Sequence, residues 1–475
     1  MSQVSWRVRL AFGVGQLPEG IKSAAFGFFL LFYYNQVLGL SGTLSGIAIF
    51  IALLFDAVSD PLVGAISDVT RSQFGRRHPY MYAAAVPFAI SFYFLFAPPD
   101  GLTEIGLFAW LTVFSIATRT FMTFYSVPHM SLGAELSNDY DERTLLSSVR
   151  MAMQLVGMFA VLIGGPLLFF AATEEFSNGQ LNGSAYPRFA ATGAVIMVLG
   201  VWLCAIGTHD QIKRLPQPAE TDRFSARDLL IDVGRAFRIP SFAAIVSASI
   251  VSGMNQGMAQ ALMIYTATYF FELTAGQMTF LFTGGVIGVM TGSVLTRPLS
   301  NLVPEKKQLY MASLVFYGIT TSYVVILRLL DLLPPNGDPL IPPLYIISAG
   351  ISGVGLGIYI TLGASMIADI TDEHERLYGK RQEGIYYAAA SFAGKAIGGS
   401  GAILAGLIID FAGIPQGAAP SAVDPEAITR FGWALGPAVL FMMAVALACI
   451  SFYSISRAQH AEILRQIRDT DSHLA

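Results

Sequence analysis

The stretch TLSGIAIFIALLFDAVSDPLVGAI, residues 43–66, runs for 24 residues and is interrupted by charge only at Asp56 and Asp60. A helix crossing a bilayer needs about 20 mostly apolar residues. A soluble helix of that length would show a continuous polar face, and this one does not, so it reads as a membrane span. Twelve such apolar runs lie near 20–38, 43–66, 79–97, 105–133, 147–172, 189–208, 240–271, 276–300, 307–330, 341–368, 384–411 and 430–456. Composition agrees: 54% of the 475 residues are hydrophobic and 13% are charged, about half the roughly 25% of a soluble domain. The two cysteines, Cys204 and Cys449, both sit in apolar runs and exclude a disulfide scaffold or a thiol-held metal. A net charge of −4 gives no basic excess for nucleic acid. The expected fold class is an all-α membrane protein of twelve transmembrane helices.

Lysine and arginine placement predicts the orientation. Of 28 such residues, 21 fall in the terminal segments and the loops after even-numbered spans, against three (Arg188, Arg328, Arg430) in the alternate loops. Both termini are therefore expected in the cytoplasm, with the chain multi-pass in a plasma membrane, the inner one in a bacterium. No cleavable signal peptide is expected: Gly13, Gly15, Pro18, Glu19 and Lys22 break up any hydrophobic core behind Arg7 and Arg9. The longest cytoplasmic segment, 209–239, divides the spans six and six. The expected organisation is an N-terminal bundle 1–208, a linker 209–239, a C-terminal bundle 240–456 and a tail 457–475. In the linker Phe224, Leu229, Leu230, Val233 and Phe237 recur at helical spacing, as an interfacial or a solvated amphipathic helix would. Two six-helix halves joined by a central tether is a layout of secondary transporters.

Seven ionisable side chains fall within or at the ends of spans: Glu19, Lys22, Asp56, Asp60, Arg119, Arg150 and Lys395. Each costs roughly 3 kcal/mol at mid-membrane, so they must pair or line a wet cavity. Asp56 and Asp60 share one helical face a turn apart. Two such carboxylates repel unless one is protonated or a positive charge joins them, and carboxylate oxygens suit a hard cation. The competing reading is a fixed salt bridge to Lys22, Arg119 or Lys395. On span four Arg119, Thr123, Ser126 and Met130 are spaced by four, three and four. On span eleven Tyr387, Ser391 and Lys395 recur every fourth residue. At the cytoplasmic ends Asp68, Arg76, Arg77, Asp139, Glu142, Arg143, Asp369 and Asp372 could form ion-pair latches that hold one face closed, or could serve only as topology signals and solvated surface.

A membrane-embedded enzyme fits poorly. An intramembrane aspartyl protease needs its carboxylates on separate facing helices, and six scattered histidines make no metal cluster. A scramblase or transporter-like sensor without a coupling ion would share these spans and differ only in flux.

Three blocks carry a resemblance to a known family. Asp56-Ala-Val-Ser-Asp60-Pro-Leu-Val-Gly-Ala-Ile-Ser-Asp68 with Gly75-Arg-Arg-His-Pro79 resembles the span-two signature of the glycoside–pentoside–hexuronide:cation symporters, a group within the major facilitator superfamily. Tyr125-Ser-Val-Pro128 through Glu135, with Asp139 to Arg143, resembles their span-four block. Asp369-Ile-Thr-Asp372 with Arg381-Gln-Glu-Gly-Ile-Tyr-Tyr387 and Lys395 resembles their span-ten-to-eleven block. The resemblance implies two pseudo-symmetric six-helix bundles working by alternating access. Sodium or a proton would be the coupling ion, at Asp56, Asp60 and Thr123, with no other cofactor. In the melibiose permease branch a span-five arginine and a span-eleven lysine complete the site, and these fall on Arg150 and Lys395. That branch's span-four aspartate and tryptophan are here Ser126 and Met130, and its span-one aspartate falls on Gly20 beside Glu19. Four cations (Lys22, Arg119, Arg150, Lys395) against three anions (Glu19, Asp56, Asp60) lead to the expectation of a substrate with negative charge or a strong dipole. A hexuronide fits, as does a lysophospholipid, since lysolipid symporters of the same superfamily share the aspartates and the lysine. The expected partners are a small-molecule substrate, the cation and the bilayer, with the chain acting as a monomer.

Overall fold

The computed structural model describes residues 4–137, 139–176, 178–215, 234, 237–378, 386, 390, 393–395 and 399–474, and among them every regular element is helical. Eight helices are long and apolar enough to cross a membrane, including Gly42–Val69 (span two), Glu104–Glu135 (span four), Ala275–Leu302 (span eight) and Ile341–Tyr378 (span ten). In the other four apolar runs the described residues are also helical, in shorter, more polar or broken stretches. Span three is His78–Leu95, span seven Pro240–Tyr265, and span eleven is described as Gly401–Ala412. Span one begins at Trp6, turns at Gly15, resumes at Leu17–Ala24 and continues through π-turns at Ala25–Phe29 and Tyr33–Val37. Span seven ends in a similar π-turn at Thr266–Phe270, the equivalent place in the second half.

Local sequence explains the helix starts. Ser41 accepts from Leu44 N and Thr103 from Gly106 N, and Thr274 with Gln277 forms a reciprocal capping box. Glycines set the closest helix contacts. Span eight lies on span ten so closely that a Cβ on Gly288 would come 2.0 Å from the Gly350 carbonyl oxygen. In lipid, where tails are as apolar as leucine, such close backbone packing is a main source of helix association.

The halves meet at the ends remote from the chain termini. Asp410 of span eleven accepts from Gly42 N (2.7 Å), Thr43 N (2.7 Å) and Thr43 Oγ1 (2.6 Å), capping span two across the interface. Tyr265 donates to Asn35 and Tyr269 to Gln36, both at 2.8 Å. One apolar core runs through both halves here, taking in Phe29, Phe32, Tyr265 and Phe282. A second core, around Phe242, Tyr310, Tyr359 and Ile450, belongs to the C-terminal half alone.

At the terminal ends several ion pairs join helices of one half. Arg9 donates to both oxygens of Glu142 at 2.7 Å, with both side chains more than nine-tenths buried. Arg77 reaches Asp68 at 2.5 Å and Glu135 at 2.9 Å, while Arg76 reaches Glu135 at 2.8 Å. Asp139 caps the helix Tyr140–Leu162 by accepting from Glu142 N, and Arg143 donates to the Ser137 and Ala134 carbonyls. Asp369 holds Lys306 at 2.7 Å, and His460 lies 3.0 Å from Asp372. These pairs join the ends of neighbouring helices. The tail forms a helix, Arg457–Leu474, docked on the polar extension of span ten. The amphipathic stretch 224–233 lies outside the described residues.

The Arg9–Glu142 pair carries a prediction. Glu142→Ala leaves a buried guanidinium without its partner, which costs about 3–5 kcal/mol. A clear loss of thermal stability in purified protein is expected, and most of it should return in the double variant Arg9→Met/Glu142→Leu.

Candidate functional site

Span two supplies two carboxylates because its helix passes unbroken through Asp56, Asp60 and Pro61. Span four crosses beside it and presents Thr123, whose Oγ1 lies 2.9 Å from Asp56 Oδ1 and 2.9 Å from Asp60 Oδ1. A hydroxyl has one proton to donate, so it satisfies one of these oxygens and faces the other with a lone pair. Lys395, from span eleven of the opposite half, approaches the other side: Nζ is 3.2 Å from Asp56 Oδ2 and also touches Asp60 Oδ2. Arg119 adds a looser contact, 3.6 Å from Asp56 Oδ2, and stacks on Phe26 at 4.9 Å.

The fixed-salt-bridge reading and the cation-site reading are thus both partly present. Lys395 pairs with the aspartates, yet the pair is not sealed, because the side chains of Lys395 and Asp60 keep 35% and 28% of their exposure. Three oxygens, Asp56 Oδ1, Asp60 Oδ1 and Thr123 Oγ1, converge on the side away from the ammonium. With Arg119 counted, the four charges sum to zero. A hard cation or a proton at the oxygen side would resolve the shared-proton conflict and weaken the hold on Lys395.

The remaining residues singled out from the sequence are placed as follows. Glu19 pairs with Lys22 at 2.9 Å and accepts from Ser23, and this pair lies within electrostatic reach of the cluster, Lys22 of Asp56 and Glu19 of Arg119. Ser126 and Arg150 are half-buried. Met130, aligned with Thr123 by helical spacing, is 55% exposed and lies outside the buried cluster. Tyr387 and Ser391 lie outside the described residues. A cavity of about 320 Å³ is lined by Phe28, Leu155 and Met158 of the N-terminal half and otherwise by spans seven to ten. None of the seven intramembrane charges lines it. Sequence reasoning missed Asp410, whose position at a span end resembles solvated surface, and Gln256 and Gln260 of the cavity wall, which read as ordinary span residues.

Helical halves closed at one end, a cavity between them and a carboxylate pair bridged across the interface define a multi-pass membrane transporter rather than an enzyme. The chain belongs to the MFS/sugar transport protein family, which it matches over residues 11–457. An uncharacterized symporter of Synechocystis sp. is 25% identical across 99% of this chain and 98% of its own length. A putative glycoside/cation symporter of Escherichia coli, YagG, is 24% identical across 98% and 96%. The mouse sphingosine-1-phosphate transporter MFSD2B is 23% identical across 88% and 83%. The crystal structure of a D-xylose-proton symporter shares the fold, with a TM-score of 0.60 over 92% of this chain and 97% of its own, at 16% identity.

Proposed function

We propose that the chain is a symporter that couples entry of sodium or a proton, at Asp56, Asp60 and Thr123, to transport of a small sugar-like substrate through the cavity between its halves. One observation carries the reading: a single hydroxyl lies at hydrogen-bonding distance from both carboxylates, an arrangement that a bound cation or an added proton completes. The Lys arginine-rich loop bias supports termini in the cytoplasm, and the division at 209–239 supports two moving halves. On that orientation the closed ends face outward.

Coupling follows from charge. The carboxylates belong to one half and Lys395 to the other, so their contact ties the halves at mid-membrane. A cation at the oxygen side supplies the charge that Lys395 now supplies, and the two positive groups repel. Span eleven is then free to shift against span two, and substrate favours that rearranged state. Ion and substrate therefore each raise the other's affinity.

Thermal shift of the purified full chain tests this. Sodium or lithium at a hundredfold excess over its dissociation constant stabilises by about 2.7 kcal/mol. Each ion is expected to raise Tm alone and to lower the concentration of glycoside needed for a further rise; in a proton-coupled protein, acidification replaces the ion. No response to sodium, lithium or pH, with or without a glycoside that binds, defeats the proposal.

A further inference from the structure

We infer that Arg119 is a resident counter-ion that cancels one of the two aspartate charges permanently, and so makes Lys395 and the coupling ion compete for the one that remains. This deepens the symporter reading and rests on it. Arg119 sits on span four, in the same half as both aspartates, and a guanidinium stays charged even where it is buried. Its side chain keeps 10% of its exposure, against 35% for Lys395. Phe26, in the first π-turn of span one, covers its face at 4.9 Å, a contact that favours a cation stripped of water.

Two features set Arg119 apart from an ordinary ion pair. Its contact with Asp56 Oδ2, at 3.6 Å, is longer than a hydrogen bond, and its Nε is buried with no partner. A guanidinium that holds two helices together docks on a carboxylate through two parallel bonds, as Arg9 does on Glu142. Arg119 instead shares Asp56 Oδ2 with Lys395, which reaches it at 3.2 Å. It supplies charge to the aspartates and leaves the closer position to the lysine.

The charges then fix the order of events. Glu19 and Lys22 lie within electrostatic reach but pair with each other, so they add nothing to the sum. Asp56 and Asp60 are balanced by Arg119 and Lys395, so the cluster without an ion is neutral and Lys395 joins the halves. An ion at Asp56 Oδ1, Asp60 Oδ1 and Thr123 Oγ1 leaves one positive charge too many. An uncompensated charge out of water is unfavourable, and withdrawal of Lys395 restores neutrality. Arg119 cannot make that exchange, because it belongs to the half that holds the ion. Without its charge the sum changes. Asp56, Asp60 and Lys395 alone carry a net negative charge, which an arriving ion neutralises with the lysine still in place. Ion binding then becomes tighter and stops releasing Lys395.

The test uses the full chain in lipid nanodiscs. Sodium, lithium and acid are the probes, and the one that raises the wild-type Tm is carried forward. Arg119→Gln and Arg119→Met are each expected to bind that ion at least about tenfold more tightly, a gain of about 1.4 kcal/mol, read from the concentration dependence of Tm. Loosened packing alone would weaken binding instead. Release of Lys395 is read separately, as labelling of Gln36→Cys by an impermeant maleimide in a Cys449→Ser background. With Arg119 present the ion is expected to speed labelling several-fold. With Arg119→Gln it should bind and leave the rate unchanged, and Arg119→Lys should restore the response. The inference is overturned if the neutral variants bind the ion no more tightly than wild type, if their labelling still answers to it, or if labelling ignores the ion even with Arg119 present. Failure of both neutral variants to accumulate, with Arg119→Lys accumulating normally, would overturn it too and make Arg119 a structural charge. A wild type whose Tm answers to no ion would instead defeat the ion site itself, and this inference with it.

Discussion

Asp56→Asn and Asp60→Asn are each expected to abolish cation-stimulated uptake while the protein reaches the membrane at wild-type levels. Asparagine keeps the volume of aspartate and still offers a carbonyl oxygen to the Thr123 hydroxyl, so packing between spans two and four survives. What goes is one negative charge from a cluster that is neutral only when both aspartates face Lys395 and Arg119. The variant cluster carries +1 before any ion arrives, and a second cation is repelled. Removing one member of a buried, hydrogen-bonded charge set costs about 3–5 kcal/mol. At 1.4 kcal/mol per tenfold, cation affinity should fall by more than about 100-fold, beyond the reach of ordinary sodium concentrations. Asp56, whose side chain is 7% exposed, should be the more severe site, and Asp60, at 28%, the milder. Sodium-dependent uptake in membrane vesicles measures this, with the sodium-induced Tm shift as a readout that needs no substrate. A wild-type sodium response in either variant removes the aspartates from the ion site.

The membrane class and the span map were legible because lipid imposes a strong rule: long apolar runs with backbone bonds closed internally. Span two, expected over 43–66, is Gly42–Val69, and span eight, expected over 276–300, is Ala275–Leu302. Span ten overran its apolar run by ten residues, to Tyr378, because a helix in water needs only backbone continuity and a polar surface. The Asp56–Asp60–Thr123 cluster was visible as charge in the wrong solvent plus one resemblance. Which cation paired with which acid was not visible. Glu19–Lys22 is a three-residue local contact, whereas Lys395 meets residues more than 330 positions away, and a charge count cannot distinguish the two. Arg119 and Lys395 looked available because their partners lie on other helices. The charges at the cytoplasmic ends did not show their partners for a related reason: near a helix end several opposite charges are in reach.

Gly406→Val is expected to stop transport by holding apart the ends of the halves remote from the chain termini. A Cβ on Gly406 would lie 2.1 Å from the Gly42 carbonyl oxygen, and one on Gly46 would lie 2.4 Å from the Ala402 carbonyl oxygen. Both obstacles are backbone, so no rotamer change relieves them, and span eleven must move away from span two by an ångström or more. Ordinary side chains keep helix axes 8–10 Å apart; the glycines let these two approach closely enough for Asp410 to cap span two across the interface. Losing the cap alone, as in Asp410→Ala, costs only about 1 kcal/mol and should slow turnover several-fold. The valine opposes closure itself, and a penalty of about 3 kcal/mol or more, in the range seen for severe core overpacking, places the closed state beyond useful population. Uptake should fall more than about 100-fold, while sodium still raises Tm because the ion site lies more than three turns away along span two. Exposure of the seal separates this from simple misfolding. Gln36→Cys, now hidden beneath Tyr269, should react with an impermeant maleimide faster in the valine background than in the parent. Unchanged labelling with normal turnover would mean that these ends do not have to close for transport.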